Sequence, residues 1–394
     1  MKASSKLRNL PFLLVLVLLA HGAMAANTEW DIHEEEGRDY VTLQNISDFY
    51  GFDADVPAVS QVSPISSNTP LTRKITLSKG LKGLEVTTNS RVVVLNGAKH
   101  WMAFPALIRD DQVLISRLDL VKTIEPALRP QSVSGYPKVK TVVLDAGHGG
   151  HDKGAHSPYG YEKNFALDVA KRVKGLLEKR GFNVVMTRET DEFIPLHTRA
   201  KIANKYPDAI FVSIHFNSSL ENRLASGFEV FSCTPRGGPS TADEQLRRRD
   251  FANENGNAND IVSAVLANSI HHAAIGQIPV MDRGVKDARF AVLRLTKIPA
   301  VLFEGGFVSN TVEAKKIASP AWRQQLASAI ATGIGEFKQV ADTRTPPRLV
   351  AEYRQENGPR VTLRDRSPTV ITSADASGKT GTSAEPTVTL PVSK

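Results

Sequence analysis

Two apolar segments that each lead to a histidine are the first residues in this sequence that could do chemistry. Residues 141–144 read Thr-Val-Val-Leu and precede His148, while residues 209–214 read Ala-Ile-Phe-Val-Ser-Ile and precede His215. Glycines on both sides of His148 permit a sharp turn and a close backbone approach. If both segments are parallel strands, the two imidazoles reach one edge of a sheet, where they are suitable ligands for Zn²⁺.

A catalytic zinc site needs a third protein ligand and an open position for water. Glu162 is the best candidate, because it lies just before a strongly periodic helix that returns from the first strand. Its carboxylate would therefore stay near the carboxyl end of that strand. Asp152 and Asp168 are alternatives that spacing does not exclude.

A third apolar segment ends in a carboxylate. Residues 299–303 read Pro-Ala-Val-Leu-Phe and are followed by Glu304 and two glycines. A carboxylate beside a zinc-activated water is what general-base catalysis requires. For Glu304 by itself, a solvated glutamate at a strand end is the simpler interpretation. Three strands that end in His, His and Glu favour one joint site.

Alternating strand and helix patterns must position these residues. From about residue 139 onward, this alternation predicts an α/β fold with a mostly parallel sheet flanked by helices. In such a sheet, ligands bind at the carboxyl ends of the strands, where the candidate residues would meet. Arg199 lies on a predicted helix at about 196–206 that leads to the His215 strand, and we expect it to be a structural ion-pair or capping partner rather than a catalytic group.

Together these segments resemble the zinc-dependent N-acetylmuramoyl-L-alanine amidases, over about residues 139–337. The matching segments, in the order that the family has them, are residues 145–150, 162–167, 187–188, 199 with 203–204, 213–217, 227–230 and 304–310. The family more often has another residue where this chain has Gly305. That departure bears on the local backbone and leaves the assignment of Glu304 intact.

The resemblance implies one Zn²⁺ held by His148, Glu162 and His215, with Glu304 as the catalytic carboxylate. It also implies hydrolysis of the amide between N-acetylmuramic acid and L-alanine in bacterial peptidoglycan. Another zinc hydrolase of the cell wall, a peptidase or a deacetylase, is an alternative. A catalytically silent wall-binding protein is a second. The sequence leaves open which stem peptide is preferred, whether the enzyme is autoinhibited, and whether it has a possible activator protein.

The first 25 residues have the pattern of a secretory signal peptide. Three basic residues precede an apolar run at 10–20, and Ala-Met-Ala at 23–25 forms a cleavage site. The run is too short to span a membrane comfortably, and no other long apolar stretch follows. We therefore expect an exported protein of the periplasm or cell envelope, with no membrane span after cleavage. Loss of the three basic residues lowers the formal net charge from +8 to +5.

The region before the catalytic domain has a different pattern of predicted strands and helices. It predicts a smaller α+β domain with a hairpin turn at Asn96-Gly97, and it resembles the small domain named after the N-terminal region of copper amine oxidases. No copper is implied, because His33 and His100 are isolated. Two roles are open: an accessory module that docks on wall material or on the catalytic domain, and a purely structural domain. The predicted divisions are a signal peptide at 1–25, an accessory domain at 27–131, a linker at 132–138, the catalytic domain at 139–340 and a disordered tail at 343–394.

Other classes of protein and site are disfavoured. Cys233 is the single cysteine, so neither an internal disulfide nor a conventional cysteine zinc site can form. The chain has no nucleic-acid-binding motif. His271 and His272 are adjacent on a predicted helix at about 261–275, and we expect them to be solvated or to lie behind the site. Residues 283–286 are expected to form a substrate-facing loop.

Overall fold

The computed structural model describes residues 30–53, 55–65 and 72–357, so the predicted signal peptide lies outside the described residues. The strands in this part of the chain are β1 Ile32–Glu35, β2 Arg38–Thr42, β3 Lys74–Lys79, β4 Lys82–Thr87, β5 Val92–Leu95, β6 Ala98–Trp101, β7 Leu107–Arg109, β8 Gln112–Ser116, β9 Thr141–Ala146, β10 His156–Ser157, β11 Gly160–Tyr161, β12 Asn183–Met186, β13 Ala209–Asn217, β14 Phe228–Cys233, β15 Asp282–Ala288 and β16 Ala300–Phe307.

The α-helices are α1 Leu43–Tyr50, α2 Arg117–Asp119, α3 Glu125–Leu128, α4 Glu162–Glu178, α5 Leu196–Ala203, α6 Asp260–Gln277, α7 Ala291–Arg294, α8 Thr311–Ala318, α9 Pro320–Thr343 and α10 Val350–Asn357. A π-helical segment, Leu120–Ile124, joins α2 to α3. Within the described ranges, none of the helices combines the length and the apolar character that crossing a membrane requires.

Ten strands form one mixed sheet in the order β12-β9-β13-β16-β14-β15-β6-β5-β4-β3. The first four are parallel neighbours, as the alternation of strands and helices predicts. β14 runs antiparallel to β16 and parallel to β15. The predicted fold class, a mostly parallel sheet flanked by helices with a smaller N-terminal α+β region, is therefore confirmed.

Helices cover both faces of the central strands. Along β13, Ile210 and Val212 join the apolar cluster that includes residues of α4, α6 and α9, whereas Phe211 joins the cluster that includes residues of α5 and α7. Successive side chains of a strand point to opposite faces, so a strand buried on both sides is mostly apolar. This is why the segments before His148 and His215 are predominantly apolar and do not alternate with polar residues.

The N-terminal region shares the large sheet with the rest of the chain. Its strands β1, β2, β8 and β7 form a separate antiparallel sheet, but β6 pairs with β15 through His100 and Val285. Trp101 Nε1 donates to the carbonyl of Arg283 at 3.0 Å. The described residues all belong to one compact unit. The predicted accessory and catalytic domains are thus joined by a continuous sheet.

A further helix, α10, forms within the segment that the sequence predicts to be a disordered tail. α10 packs on α6, with Val350 and Tyr353 both buried. The prediction from residue 343 is therefore wrong for residues 350–357, because two large apolar side chains suffice to dock so short a helix. Residues 358–394, the rest of the predicted tail, lie outside the described residues.

Two further local expectations are wrong. His271 and His272 are buried rather than solvated, because α6 lies under the sheet with α9 and α10 packed against it. His100 is buried beside them, with its ring centroid 6.4 Å from that of His272. Residues 283–286 belong to strand β15 and do not form a loop.

Candidate active site

His148 lies in the tight turn that follows β9. Its backbone φ is +59°, a left-handed conformation that costs free energy for a residue with a side chain. Asp152 Oδ2 is 2.9 Å from Nδ1 of the imidazole, and Glu162 Oε1 is 3.0 Å from Nε2. Burial would lower the pKa of His148, but the two carboxylates outweigh burial and raise it.

Glu162 is the first residue of α4 and is 4% exposed. Its Oε1 accepts a hydrogen bond from the backbone N–H of Phe216 at 3.1 Å, and its Oε2 accepts one from Ala155 at 2.9 Å. Burial would raise the pKa of this carboxyl, but His148 and His215 hold it well below its usual range. The carboxylate is therefore ionised and fixed in place.

His215 completes a compact cluster at the carboxyl ends of β9 and β13. Its Nδ1 lies 2.9 Å from Glu162 Oε1, and one ligand atom from each of His148, Glu162 and His215 lies within 4.8 Å of the others. Gly147 makes this possible, because a Cβ there would lie 2.3 Å from Cε1 of His215. The three residues named from the sequence are thus brought together.

This donor set fits a zinc ion. Two imidazole nitrogens and a carboxylate oxygen are common zinc ligands, and ligand atoms around a tetrahedral zinc are about 3.3 Å apart. The His148–Glu162 and His215–Glu162 separations of 3.0 and 2.9 Å are close to that value. Asp152 gives His148 the carboxylate partner on its other nitrogen that histidine ligands usually have.

The two alternative third ligands lie elsewhere. Asp152 contacts the far nitrogen of His148 and is not part of the three-residue cluster. Asp168, on α4, pairs instead with Arg172 of the same helix and with Arg323 of α9. Among the described residues, Glu162 is therefore the carboxylate that lies close enough to both histidines to bind the same metal ion.

A buried ion pair supports the turn that carries His148. Asp145 pairs with Arg199 at 2.7 Å and accepts hydrogen bonds from the hydroxyls of Thr187 and Ser213 at 2.6 and 2.7 Å. Burial would raise the pKa of Asp145, but Arg199 and the two hydroxyls bring it below its usual value. Arg199 also donates to the carbonyl of His148 at 2.6 Å, so it acts as the structural partner that the sequence predicts.

Arg188 was not assigned a role from the sequence, yet it ties the same turn to α4. It is 2% exposed, and its guanidinium donates to the carbonyls of Ala146, Gly147 and Lys163. The last of these follows Glu162 directly, so Arg188 links two of the candidate ligands. Its place just after β12, at the same sheet edge as His148, is the signal that could have identified it.

Glu304 lies next to His215 in the register of β13 and β16. Its Oε2 is buried and has no hydrogen-bond partner in the described part of the chain. Burial, and then the charges of Glu162 and Glu229, raise the pKa of this carboxyl well above its usual range. An unpartnered carboxylate oxygen beside a ligand cluster is available for proton transfer.

Glu229 is a second carboxylate that sequence reasoning missed. It faces Glu304 across β14 and β16, but it is held by Arg283, Lys286 and the side-chain amide of Asn217. These partners occupy its oxygens. Glu304 therefore remains the candidate proton acceptor.

These side chains open into a cavity of about 570 Å³. His148, Glu162, His215 and Glu304 are among the residues that line it. Apolar residues line it as well, and three of them are well exposed to solvent. They are Phe193, Leu196 and Phe290. A cavity that combines a polar cluster with exposed apolar side chains is typical of a small-molecule or substrate site.

Known proteins resemble this chain over the region that carries the site. The family profile described as N-acetylmuramoyl-L-alanine amidase matches residues 142–336. The amidase AmiA of Escherichia coli K12 is 32% identical over 242 residues, which cover 56% of this chain and 83% of AmiA. The amidase AmiC of E. coli O6:H1 is 33% identical over 249 residues, 56% of this chain and 58% of AmiC.

A solved structure of an N-acetylmuramoyl-L-alanine amidase from Clostridium difficile 630 is 29% identical, with a TM-score of 0.43, and the match covers 53% of this chain and all of that one. The chain spans only 58% of the length of AmiC, whereas it spans 83% of AmiA. The match with AmiA covers most of that protein, and the family profile falls on the residues that form the cavity. The chain belongs to the N-acetylmuramoyl-L-alanine amidase family.

Proposed function

We propose that this protein is a zinc-dependent N-acetylmuramoyl-L-alanine amidase, which hydrolyses the amide between N-acetylmuramic acid and L-alanine in peptidoglycan. The observation that carries the proposal is the cluster of His148, Glu162 and His215, with Glu304 lining the same cavity. The choice of this amide rests on membership of the family.

In this proposal His148, Glu162 and His215 hold one Zn²⁺. Zinc supplies a Lewis acid there, which activates water and polarises the carbonyl of the amide. The protein fixes the ligands beforehand, because Glu162 is held by two backbone N–H groups and His148 by Asp152. Rigid ligands reduce the reorganisation that the reaction requires.

Glu304 is proposed as the general base and then the general acid. It takes a proton from the attacking water at its free oxygen and returns that proton to the leaving amine of L-alanine. Burial raises the pKa of the Glu304 carboxyl, so it accepts a proton more readily than an exposed glutamate does, and the same oxygen can return that proton in the next step. Glu229 cannot substitute for it while Arg283 and Lys286 neutralise its charge.

We further propose that the protein is exported to the periplasm or cell envelope. The signal-peptide pattern of residues 1–25 supports this location. Peptidoglycan is the substrate that the family membership supports.

Mass spectrometry of purified peptidoglycan, incubated with zinc-loaded protein and with a chelated sample, tests the proposal. We expect release of stem peptides that carry a free amine on L-alanine, and no release after chelation. Peptides cut internally would indicate a peptidase, and acetate would indicate a deacetylase. Bound zinc with no product of any kind would favour the silent wall-binding role or a requirement for an activator.

A further inference from the structure

We infer that Asn217 binds the substrate by donating one side-chain N–H to an amide carbonyl oxygen, and that the N-terminal region holds Asn217 in position through Trp101. The inference rests on the proposed amidase function and adds a substrate-contact residue to it. It also gives the N-terminal region a part in the reaction, because a series of contacts leads from Trp101 to the catalytic cavity.

Asn217 lies at the end of β13, two residues after His215, and lines the same cavity as Glu304. The pairing of β13 with β16 contains a β-bulge at this point. His215 pairs with Glu304, whereas Asn217 pairs with Phe307, so β16 has one extra residue in this stretch. Bulges next to active sites change the direction of side chains. The bulge therefore sets the position of Asn217 relative to Glu304.

The hydrogen bonds of Asn217 fix the orientation of its side-chain amide. The backbone N–H of Ser218 donates to Oδ1 at 2.8 Å. Nδ2 donates to Oε1 of Glu229, and because an ionised carboxylate can only accept, the amide cannot be flipped. An amide nitrogen carries two hydrogens, and among the described residues Glu229 is its single partner. One N–H of Asn217 is therefore left for a ligand in the cavity.

Glu229, the partner of Asn217, is buried and held by two cations. It is 3% exposed, Arg283 Nε lies 2.9 Å from its Oε2, and Lys286 donates to the same oxygen. A buried charge is costly unless it is paired, so these cations stabilise the carboxylate in this place. Hydrogen bonds to a charged acceptor are stronger than those between neutral groups. The amide of Asn217 is thus held tightly.

Trp101 of the N-terminal strand β6 contacts the segment that supplies both cations. Its Nε1 donates to the carbonyl of Arg283 at 3.0 Å. The ammonium of Lys286 lies 5.6 Å from the centroid of the Trp101 ring and 5.7 Å from that of Phe231 on β14. An ammonium within about 6 Å of an aromatic face is attracted to it. The two rings therefore hold the ammonium beside Glu229.

A path of direct contacts thus leads from the N-terminal region to the cavity. It runs from Trp101 through Lys286 and Glu229 to Asn217. The free N–H at the end of this path is a neutral donor, which suits the neutral carbonyl oxygens that a muramoyl-peptide carries in its amides. Trp101 is accordingly a positioning residue, and Asn217 is the residue that touches the substrate.

Asn217→Ala tests the contact with the substrate. The variant has no side-chain N–H to donate, so we expect kcat/KM for a soluble muramoyl-peptide to fall about tenfold. Zinc content should stay normal, since Asn217 is not one of the three proposed ligands. Asn183→Ala is the control, because it removes an exposed amide that bonds Thr141 at the edge of the sheet. A normal kcat/KM in Asn217→Ala would overturn the contact.

A double-mutant cycle tests the path from the N-terminal region. Trp101→Ala should lower kcat/KM about threefold, as expected for loss of a cation–π contact. Because Trp101 acts through Asn217, the same change should have no further effect in an Asn217→Ala background. A purely structural role would give the threefold loss in both backgrounds. Trp30→Ala is the control and should leave kcat/KM unchanged, since Trp30 packs on Phe49 instead.

A milder variant keeps the cycle informative if Trp101→Ala does not fold. Trp101→Phe retains a ring beside Lys286 but loses the hydrogen bond to the carbonyl of Arg283. We expect a smaller loss of kcat/KM, which should again disappear in the Asn217→Ala background. Thermal unfolding and zinc content of the full chain show whether each variant is folded.

The outcomes separate this inference from the proposed function. Equal losses in the two backgrounds would overturn the path from Trp101, even if the contact of Asn217 stands. Turnover of the amide by the wild-type protein would leave the proposed function intact in that case. Failure of the wild-type protein to cut the amide would remove the proposed function, and the inference with it.

Discussion

Hydrogen bonds fix the side chains of two proposed zinc ligands, His148 and Glu162, and leave one atom of each directed at the cluster. Asp152 holds Nδ1 of His148 and leaves Nε2 for the cluster, and two backbone N–H groups hold Glu162. Glu304 differs, because its Oε2 has no partner within the described residues. The ligands are therefore fixed, whereas the proposed acid–base residue keeps a free oxygen.

Glu304→Gln should retain zinc and lose activity. The amide has nearly the same shape but cannot accept the proton, so we expect kcat to fall by about 10²–10⁴. Metal analysis and steady-state kinetics on a soluble muramoyl-peptide measure both quantities. Glu85→Gln, which changes a carboxylate of β4 that pairs with Lys74, is the control. His148→Ala should lose zinc and activity together, and a Glu304→Gln protein with normal kcat would refute the assigned role.

Asp152→Asn should weaken zinc binding by about 10–100-fold, because the amide no longer supplies the negative charge behind the imidazole of His148. Competition with a chelator of known affinity measures the change. Asp168→Asn is the matched control, since Asp168 pairs with Arg172 and Arg323 instead. Equal zinc affinity in the two variants would contradict this support role.

At the scale of elements, the site depends on how closely backbone segments approach one another. The end of β9 contacts the end of β13 at Gly147, and the loop between β14 and α6 is held from the N-terminal region. Arg91 reaches across to that loop, where its guanidinium bonds the carbonyls of Ser240, Thr241 and Asp243. Contacts between segments that are far apart in the chain thus position the residues around the site.

Gly147→Ala should displace His215 and weaken zinc binding while the protein stays folded. The added Cβ would lie 2.3–2.6 Å from three atoms of the imidazole, too close for any real contact. Gly175→Ala is the control, because no atom lies within 4 Å of its Cβ on helix α4. We expect the control to bind zinc normally and to gain up to about 1 kcal/mol of stability. Normal zinc affinity in Gly147→Ala would show that the imidazole can move without loss.

Arg91→Ala should make the loop between β14 and α6 more mobile. Loss of its bonds to Ser240, Thr241 and Asp243 should speed amide hydrogen exchange in a peptide covering residues 235–247 and cost about 1–3 kcal/mol of stability. Exchange in β4 and β5 should not change. Arg109→Ala, an exposed ion-paired arginine, serves as the comparison. The same exchange rates in both variants would mean that Arg91 does not hold the loop.

At the scale of the whole molecule, the N-terminal region and the catalytic region meet around α6. The large sheet runs through both, and the buried rings of His100 on β6 and His272 on α6 lie edge to face, with an interplanar angle of 89°. Burial, and then the charges of His100 and His271, lower the pKa of His272 to about 3 from a usual value of 6.5. Protonation of His272 is therefore coupled to unfolding of the chain.

His272→Phe should remove part of the acid sensitivity of the fold. The unfolded chain binds a proton at His272 below about pH 6.5 and the folded chain does not, so the stability from this residue is complete above pH 6.5 and is lost as pH falls toward 3. The difference in unfolding free energy between wild type and variant should therefore change by about 1.4 kcal/mol per pH unit below pH 6. Urea unfolding at several pH values measures it.

Taking the difference isolates His272 from groups of opposite sign. Burial raises the pKa of Asp119 to about 6 and that of Asp287 to about 7, so their contributions are lost as pH rises instead. These groups are present in both proteins and cancel in the difference. A difference that stays constant with pH would contradict the low pKa of His272.

The sequence by itself determined the residue types of the site and the class of fold. Apolar runs that end in His148, His215 and Glu304 reflect strands buried on both faces, and the end of such a strand is where a polar residue can reach a cleft. Patterns of this kind are local, so they can be read along the chain.

Only the tertiary structure decided which distant groups meet. Spacing left Glu162, Asp152 and Asp168 as alternatives, and the packing of α4 against β13 placed the first of them between the histidines. The partners of Glu229 and the extension of the sheet through β6 were likewise invisible in the sequence. Lateral strand order and the contacts of short helices such as α10 depend on surfaces contributed by the whole chain, and no local pattern records them.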